Sequence, residues 1–270
     1  TTPFGFQSTA AEVSEGIDLS GKRVIITGAT SGIGIETARV LAHIGADVTL
    51  AVRNTDAGTR VATDITTTTG NRNIHVAHLD LADLVSIAAF VAAWDGPLHL
   101  LINNAGVIPS TLSRTAEGWE LQFATNYLGH FALSLGLHDA LALGARERGE
   151  ARIVMVSSTA HMRSPIVFDD IHFERREYDP QAAYAQSKTA DALFAVEATR
   201  RWAADGIVAN AVNPGGVATG LQRDFTQKQK EYLADAEAAG VFVYKTVEQG
   251  AATTLVAAVA PEFAHTGGHY

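Results

Sequence analysis

Short runs of β-branched and apolar residues alternate with longer alanine- and leucine-rich segments from about residue 22 onward. This order is typical of β-α-β units, whose parallel strands are buried on both faces, and it predicts a doubly wound α/β sheet with helices on both sides. The predicted strands are residues 23–28, 47–52, 74–79, 98–104, 152–158 and 207–212. The predicted helices are residues 33–43, 55–69, 83–94, 116–144 and 180–204. Thr246 with Gln249 forms a capping-box pattern, which predicts one more helix start.

The length and composition favour a single domain. A chain of 270 residues that is 47% hydrophobic can bury a sizeable core. We expect residues 21–270 to form that domain and residues 1–20 to lie on it as an arm. The alternation is interrupted at residues 159–179 and 214–245, both of which follow strands. Because open parallel sheets bind ligands at the carboxyl ends of their strands, these two segments are predicted to form substrate loops.

Charge and residue content exclude several classes of protein. A net charge of -9 without a basic run argues against nucleic acid as a partner. The absence of cysteine excludes disulfides, thiolate nucleophiles and zinc-thiolate sites. The histidines lack zinc-site spacing, so no metal site is expected. His130, His161 and His172 are interpreted as structural, with a place at the pocket rim as the alternative for His161 or His172. The apolar run at 255–260 is far shorter than the ~20 residues of a membrane span, and the N-terminus lacks a signal pattern. We therefore expect a soluble cytoplasmic protein without a membrane span.

A glycine-rich turn, TGATSGIG at residues 27–34, joins the first strand to the first long helix. Gly28, Gly32 and Gly34 let the backbone turn tightly and approach a pyrophosphate, whose charge is met by free N–H groups at the helix start. The spacing is G-x-x-x-G-x-G. A glycine-rich turn without a ligand is the alternative interpretation, but the strand-turn-helix context favours a Rossmann-type dinucleotide site.

The stretch YAQSK at residues 184–188 places a tyrosine and a lysine four positions apart. Asp179 followed by Pro180 resembles a helix start, so Tyr184 and Lys188 should share one helix face. A tyrosine pKa is ordinarily near ~10, and lowering it by about 3 units requires on the order of 4 kcal/mol. A neighbouring ammonium supplies such stabilisation, which makes Tyr184 a candidate proton donor to a reduced carbonyl. A solvent-exposed pair on a surface helix is the alternative.

Six motifs in this order resemble those of the short-chain dehydrogenases/reductases. They are TGATSGIG, NNAG (103–106), NYLGHF (126–131), VSS (156–158), YAQSK and NPGGVAT (213–219). The stretch 4–34, NYLGHF and VSSTAH resemble the retinol-dehydrogenase and WW-domain-oxidoreductase branch. The resemblance covers nearly the whole chain from residue 20 onward.

The resemblance implies a catalytic set and a cofactor site. Tyr184 would be the general acid/base, Lys188 would tune it and hold the nicotinamide ribose, Ser158 would orient the carbonyl and Asn126 would anchor a water in a proton relay. Asp80 would contact the adenine, and Thr219 the carboxamide. The full predicted cofactor set is Gly28, Thr30, Ser31, Gly32, Ile33, Gly34, Arg53, Asn54, Asp80, Leu81, Asn103, Ala105, Gly106, Tyr184, Lys188, Pro214, Gly215, Val217 and Thr219.

Arg53 favours NADP(H) over NAD(H). NAD enzymes place an acid about 20 residues after the glycines to bind the ribose hydroxyls. Here Val52 ends the second strand and Arg53 follows directly, 19 residues after Gly34. A guanidinium can bind a 2′-phosphate through two hydrogen bonds, and no carboxylate stands there to repel it. The same chemistry with NAD(H) remains the alternative.

The predicted function is therefore NADP(H)-dependent interconversion of a carbonyl and an alcohol. An NADPH-binding regulatory or scaffold protein on the same fold is the rival hypothesis. Candidate pocket residues suggest an apolar small-molecule substrate; they are Phe168, Ile171, Val217, Leu221, Phe225 and Tyr232. Apolar outer faces on helices 116–144 and 180–204 predict a homodimer or homotetramer. Relatives of this branch usually continue beyond the position of Tyr270, which implies a further segment near the pocket.

Overall fold

Six parallel strands form the centre of the protein. A computed structural model describes residues 2–222, 225, 227–240 and 243–270. The strands are β1 (Arg23–Thr27), β2 (Asp47–Val52), β3 (Ile74–His78), β4 (Leu100–Asn103), β5 (Ala151–Val156) and β6 (Ile207–Val212). Their order across the sheet is β3-β2-β1-β4-β5-β6, with parallel pairing throughout. The predicted doubly wound Rossmann-type fold is confirmed.

Helices cover both faces of the sheet. They are α1 (Ala10–Val13), α2 (Ile33–His43), α3 (Thr55–Thr69), α4 (Leu84–Ala93), α5 (Leu121–Phe123), α6 (Gly129–Gly136), α7 (His138–Arg148), α8 (Pro180–Trp202), α9 (Gln227–Ala238) and α10 (Val247–Val259). One core cluster joins α2, α3 and α10 to the sheet, and the other joins α4, α6, α7 and α8 to it. Every residue of β4, β5 and β6 is buried, as expected for strands covered on both faces.

The prediction of one long helix over residues 116–144 is wrong in both the bounds and the continuity of the helix. Arg114 and Glu120 instead pair as an antiparallel bridge around a turn at Gly118, which has a φ of 85°. Glu120 then caps α5 by accepting hydrogen bonds from the backbone N–H groups of Gln122 and Phe123. A π-helical segment at Ala124–Leu128 and a break at Leu137 divide the remainder, which extends to Arg148.

Two predicted helix starts are confirmed. Asp179 accepts a hydrogen bond from the N–H of Gln181, with Pro180 at the first helical position. Thr246 and Gln249 form a reciprocal capping box at the start of α10. Both starts depend on local side-chain chemistry, which is why the sequence alone located them.

The two ends of the chain pack onto this framework. Ala10 and Val13 of α1 are buried in the core cluster that contains α2 and α10. At the other end, the N–H of Gly268 donates to the carbonyl of Ala209 at 2.7 Å, and the N–H of Ala211 donates to the carbonyl of His269 at 2.9 Å. Residues 268–269 therefore run along the outer edge of β6, which the sequence did not predict.

Candidate active site

A cavity of about 300 Å³ lies at the carboxyl ends of the strands. The topology reverses between β1 and β4, which is where doubly wound sheets bind ligands. The predicted cofactor residues that line it are Gly28, Thr30, Ser31, Gly32, Ile33, Arg53, Asn54, Asp80, Leu81, Ala105, Gly106, Tyr184, Lys188, Pro214, Gly215, Val217 and Thr219. Most of the predicted cofactor residues therefore line a single cavity.

Glycines shape one side of this cavity. Gly28 has a φ of 70°, and a Cβ added there would lie 2.7 Å from the Cα of Ala105. Gly32 has a φ of 57°, and a Cβ there would lie 2.8 Å from Cγ2 of Thr219. Larger residues would therefore both strain the backbone and collide with Ala105 or Thr219. The start of α2, including Ile33, lines the same space, so the geometry fits the pyrophosphate of a dinucleotide.

Gly34 and Asn103 have positions other than those expected. Gly34 is buried beneath the turn, where a Cβ would lie 2.6 Å from Nδ2 of Asn104. The side chain of Asn103 points away from the cavity, because its Nδ2 donates to Ser134 Oγ at 3.0 Å and to Met155 Sδ at 3.1 Å. Asn104, the next residue, lines the cavity instead. Successive residues at a strand end face opposite ways, and no local pattern distinguishes the two adjacent asparagines.

The hydroxyl of Thr27 links the two strand ends. It accepts hydrogen bonds from the N–H groups of Asn104 at 2.9 Å and Ala105 at 3.0 Å. Its own proton is directed to Nε2 of His130 at 2.8 Å, and Nδ1 of His130 donates to the carbonyl of Asn126 at 2.8 Å. Burial lowers the pKa of His130 to about 3, so the ring is neutral at ordinary pH. His130 was predicted to be structural, and its two hydrogen bonds connect Thr27 of β1 to Asn126.

Asn126 lies behind the cavity wall within the π-helical segment. Its Oδ1 accepts from the N–H of Val107 at 2.9 Å, and its Nδ2 donates to Ser187 Oγ at 3.1 Å. A Cβ added at Gly106 would lie 3.7 Å from this Oδ1. Asn126 is therefore tied both to the segment that follows β4 and to the helix that carries Tyr184.

Tyr184, Lys188 and Ser158 meet on one wall of the cavity. Nζ of Lys188 lies 5.7 Å from the centre of the Tyr184 ring. Ser158 caps a short 3-10 turn, Thr159–Arg163, by accepting from the N–H of Ala160 at 3.1 Å, which leaves its own proton available as a donor. The hydroxyl of Ser157 is instead used on the backbone carbonyl of Lys188.

Two hydrogen bonds hold the ammonium of Lys188 in place. Nζ donates to the carbonyl of Val156 at 2.7 Å and to Oδ2 of Asp191 at 2.9 Å. Burial lowers the pKa of Lys188, but the negative charge of Asp191 and the proximity of Tyr184 outweigh it, so the pKa lies above its ordinary value. The sequence analysis did not single out Asp191, although a carboxylate three residues after a lysine in a helix is a recognisable pairing signal.

Helix α8 also fastens the loop at residues 159–179. The buried Gln186 accepts from the N–H of Val167 at 3.0 Å and from Nη2 of Arg176 at 3.1 Å, and it donates to the carbonyl of Ile171 at 3.0 Å. One turn further, Thr189 Oγ1 lies 2.9 Å from the carbonyl of His161. Gln186 lies between Tyr184 and Lys188 in sequence, yet its role depends on a distant loop and was missed.

The expected apolar pocket is only partly assembled. Val217 and Leu221 line the cavity, together with Val107, which was not predicted. Phe168 is 75% exposed to solvent. Ile171 and Phe225 are half-buried and do not line the cavity, and the side chain of Tyr232 lies outside the described residues.

Histidines and the C-terminal tyrosine occupy the surroundings of the site. His161 donates from Nδ1 to the carbonyl of Ser158 at 2.8 Å, and its ring centre lies 4.3 Å from that of Tyr270. His172 accepts from the N–H of Glu120 and packs against Trp119, away from the cavity. Within the described ranges, no cluster of three or more His, Asp or Glu side chains has the geometry to hold a metal ion. No helix in that part of the chain is long and apolar enough to cross a membrane.

Comparisons with known proteins identify the family of this chain. The short chain dehydrogenase family model matches residues 22–230. A probable oxidoreductase of Streptomyces lividans is 48% identical over 94% of this chain and 85% of its own length. Human retinol dehydrogenase 11 is 41% identical over 88% of this chain and 73% of its own length. A Beutenbergia cavernae structure, described as an NAD(P)-dependent gluconate 5-dehydrogenase with bound NADP, has a TM-score of 0.72 and 26% identity, covering 93% of this chain and 94% of that one.

The chain belongs to the short-chain dehydrogenase/reductase family, whose members are oxidoreductases that use nicotinamide cofactors. Within the family it falls in the retinol-dehydrogenase-like branch, as the sequence motifs predicted.

Replacing Gln186 by Leu should release the 159–179 loop from α8, because three hydrogen bonds to the loop are lost at once. Hydrogen exchange measured by mass spectrometry should then be faster in peptides covering residues 164–176, while β1 and β4 peptides are unchanged. Gln181→Leu on the same helix is the matched control, since that position contributes its backbone N–H to the Asp179 cap. Unchanged exchange of the loop in Gln186→Leu would show that other contacts hold it.

Proposed function

We propose that the protein is an NADP(H)-dependent oxidoreductase that interconverts a carbonyl compound and an alcohol. The observation that carries the proposal is the meeting of Tyr184, Lys188 and Ser158 on one wall of a cavity whose other side is the glycine turn. A cofactor laid along that turn would have its adenosine end near Arg53 and its nicotinamide end near Tyr184. The nicotinamide would supply or accept the hydride.

The protein side chains would manage the proton and the substrate oxygen. The Ser158 hydroxyl donates to the carbonyl oxygen and holds it near Tyr184. Tyr184 then gives its phenolic proton to that oxygen in the reductive direction and takes it back in the oxidative one. Lys188 stabilises the phenolate by its charge, and its remaining N–H is available to the ribose. Asn126 supports the proton relay to Lys188, and its hydrogen bonds to Val107 and Ser187 join the segment after β4 to α8.

The preference for NADP(H) rests on Arg53. It is exposed at the cavity edge immediately after β2, beside Asn54, whose Oδ1 caps α3 by accepting from the N–H of Ala57. A guanidinium at this place attracts the extra phosphate of NADP(H). The solved relative with bound NADP supports the same choice.

The substrate would be an apolar small molecule. Val107, Val217 and Leu221 line the same cavity as Tyr184, so a substrate bound there would meet aliphatic side chains. The similarity to a retinol dehydrogenase favours an apolar alcohol or aldehyde.

A second copy of the chain would cover the outer faces of α6 and α8. Phe131 and Leu135 of α6 and Leu193 and Val196 of α8 are exposed apolar residues. The rings of Phe131 and Phe194 lie 5.9 Å apart, so the two faces adjoin and form one patch. Contiguous exposed apolar surface of this kind is typical of protein interfaces.

Tyr184→Phe should lower turnover by about 100-fold or more, because the proton donor is removed. The measurement is substrate-dependent oxidation of NADPH and NADH, compared over a panel of aliphatic, aromatic and retinoid-like aldehydes and ketones. NADPH binding, followed by cofactor fluorescence, should survive and serves as the control for folding. Undiminished turnover in the variant would remove Tyr184 from the mechanism. If the unmodified protein binds NADPH and turns over nothing on the panel, the result favours the hypothesis of an NADPH-binding regulatory or scaffold protein.

Arg53→Ala should weaken NADPH binding by about 10-fold or more, since hydrogen bonds to a charged group contribute about 1.5–3 kcal/mol, and should leave NADH binding nearly unchanged. The measurement is the dissociation constant of each cofactor. Arg72→Ala is the matched control because it removes the same charge before β3, at the opposite end of the sheet. Equal losses for the two cofactors would contradict the assignment of Arg53 to the 2′-phosphate.

The double substitution Leu193→Lys and Val196→Lys should reduce a dimer to a monomer or a tetramer to a smaller assembly, because it places charge in the apolar patch. Multi-angle light scattering at micromolar concentration gives the mass directly. Val85→Lys is the control, as Val85 is an exposed apolar residue of α4. A monomeric unmodified protein would exclude the interface.

A further inference from the structure

Asp191 and Lys188 form a buried ion pair behind the cavity wall. Oδ2 of Asp191 lies 2.9 Å from Nζ of Lys188, and the two side chains are 2% and 4% exposed. Oδ1 of Asp191 has no hydrogen-bond partner among the described residues. A buried carboxylate with half of its hydrogen-bonding capacity unused is costly, and the ion pair with Lys188 is the contact that offsets this cost.

Among the described residues, the titratable groups around this pair are Tyr184, Tyr127 and His130. Tyr184 lies on the same helix, and its proximity raises the pKa of Lys188. Tyr127, in the π-helical segment, has a pKa raised by burial and by the charge of Asp191. His130 is neutral, because burial lowers its pKa and the charge of Lys188 lowers it further. Asp191 is thus the negative counter-charge that the described structure places against Lys188.

Two hydrogen bonds fix the orientation of the Lys188 ammonium. An ammonium has three N–H donors, and two are used on the Val156 carbonyl and Asp191. Because Lys188 also lines the cavity, the third donor is the one available to a bound ligand. The two anchors therefore position the charge as well as the remaining hydrogen bond.

Asp191 also affects how much positive charge Tyr184 experiences. A lone ammonium next to a phenol favours the phenolate, whereas an ammonium with a carboxylate behind it presents a partly cancelled charge. Burial raises the pKa of Asp191 to about 6 despite the opposing effect of Lys188, so the group is mainly ionised at neutral pH and the cancellation operates there.

We propose that Asp191 is a positioning residue of this site: it holds the Lys188 ammonium against β5 and offsets part of the positive charge that Lys188 presents to Tyr184. The proposal rests on the proposed function for its catalytic meaning, but the charge effect itself exists without substrate. It can therefore be measured independently of turnover.

The first test is a pH titration of Tyr184 in Asp191→Asn and in the unmodified protein. The phenolate absorbance of Tyr184 is isolated by subtracting the spectrum of the matching Tyr184→Phe protein. Removing one negative charge behind Lys188 should lower the titration midpoint by about 0.5–1 pH unit, less than the 1–3 units of a charge in direct contact. Asp191→Glu restores the charge and should return the midpoint toward its original value.

The controls separate a positional role from a structural one. Glu197→Gln removes an exposed negative charge from the same helix and should leave the midpoint unchanged. If Asp191→Asn lowers the melting temperature without moving the midpoint, Asp191 is only structural and the proposal fails. An upward shift would also overturn it, because Asp191 would then act by keeping Lys188 protonated.

A second measurement uses the unmodified protein. Carbon NMR of the aspartate carboxyl groups should find Asp191 ionised at neutral pH. A protonated Asp191 there would overturn the proposal, since a neutral acid offsets no charge. Where the protein also turns over a substrate, the pH dependence of kcat/KM should shift with the Tyr184 midpoint in Asp191→Asn. Absence of turnover would count against the proposed function and leave the titration result standing.

Discussion

Much of the site depends on the hydrogen bonds of one atom, the hydroxyl oxygen of Thr27. It accepts from two consecutive N–H groups after β4 and donates to His130, which in turn holds the carbonyl of Asn126. These bonds join β1, β4 and the π-helical segment at the place where the sheet topology reverses. Because the atoms are buried, losing one bond would leave polar groups without water to replace the partner. The glycine turn after β1 and the π-helical segment that carries Asn126 therefore depend on the same set of hydrogen bonds.

Helix α8 provides the second framework, and its two faces have separate tasks. Tyr184, Lys188 and Asp191 follow each other at four- and three-residue intervals, so they lie along one face of the helix. Gln186 and Thr189 are three apart on another face and bind the 159–179 loop. The chemistry and the loop attachment are thus carried by interleaved residues of one rigid element. A shift of α8 along its axis would disturb both.

The parts predicted from sequence are those determined by local patterns. The six strands, the helix caps at Asp179 and Thr246, and the glycine turn follow from periodicity and side-chain chemistry. The interruption of the 116–144 helix was missed because Glu120 is fixed by residues distant in sequence, including the hydroxyl of Tyr178. The choice of Asn104 over Asn103, the exposure of Phe168 and the ion pair of Asp191 likewise depend on tertiary contacts. The functions assigned to individual site residues stay predictions for the experiments above.

The attachment of the 159–179 loop has an evolutionary consequence. Gln186 and Thr189 hold this loop mainly through its backbone atoms at Val167, Ile171 and His161, so the contacts depend little on which side chains the loop carries. Exposed positions such as Met162 and Phe168 could be exchanged while the loop keeps its path. The path of the loop is thereby separated from the identity of its exposed side chains. The loop sequence can change while α8 and the residues that it carries stay in place.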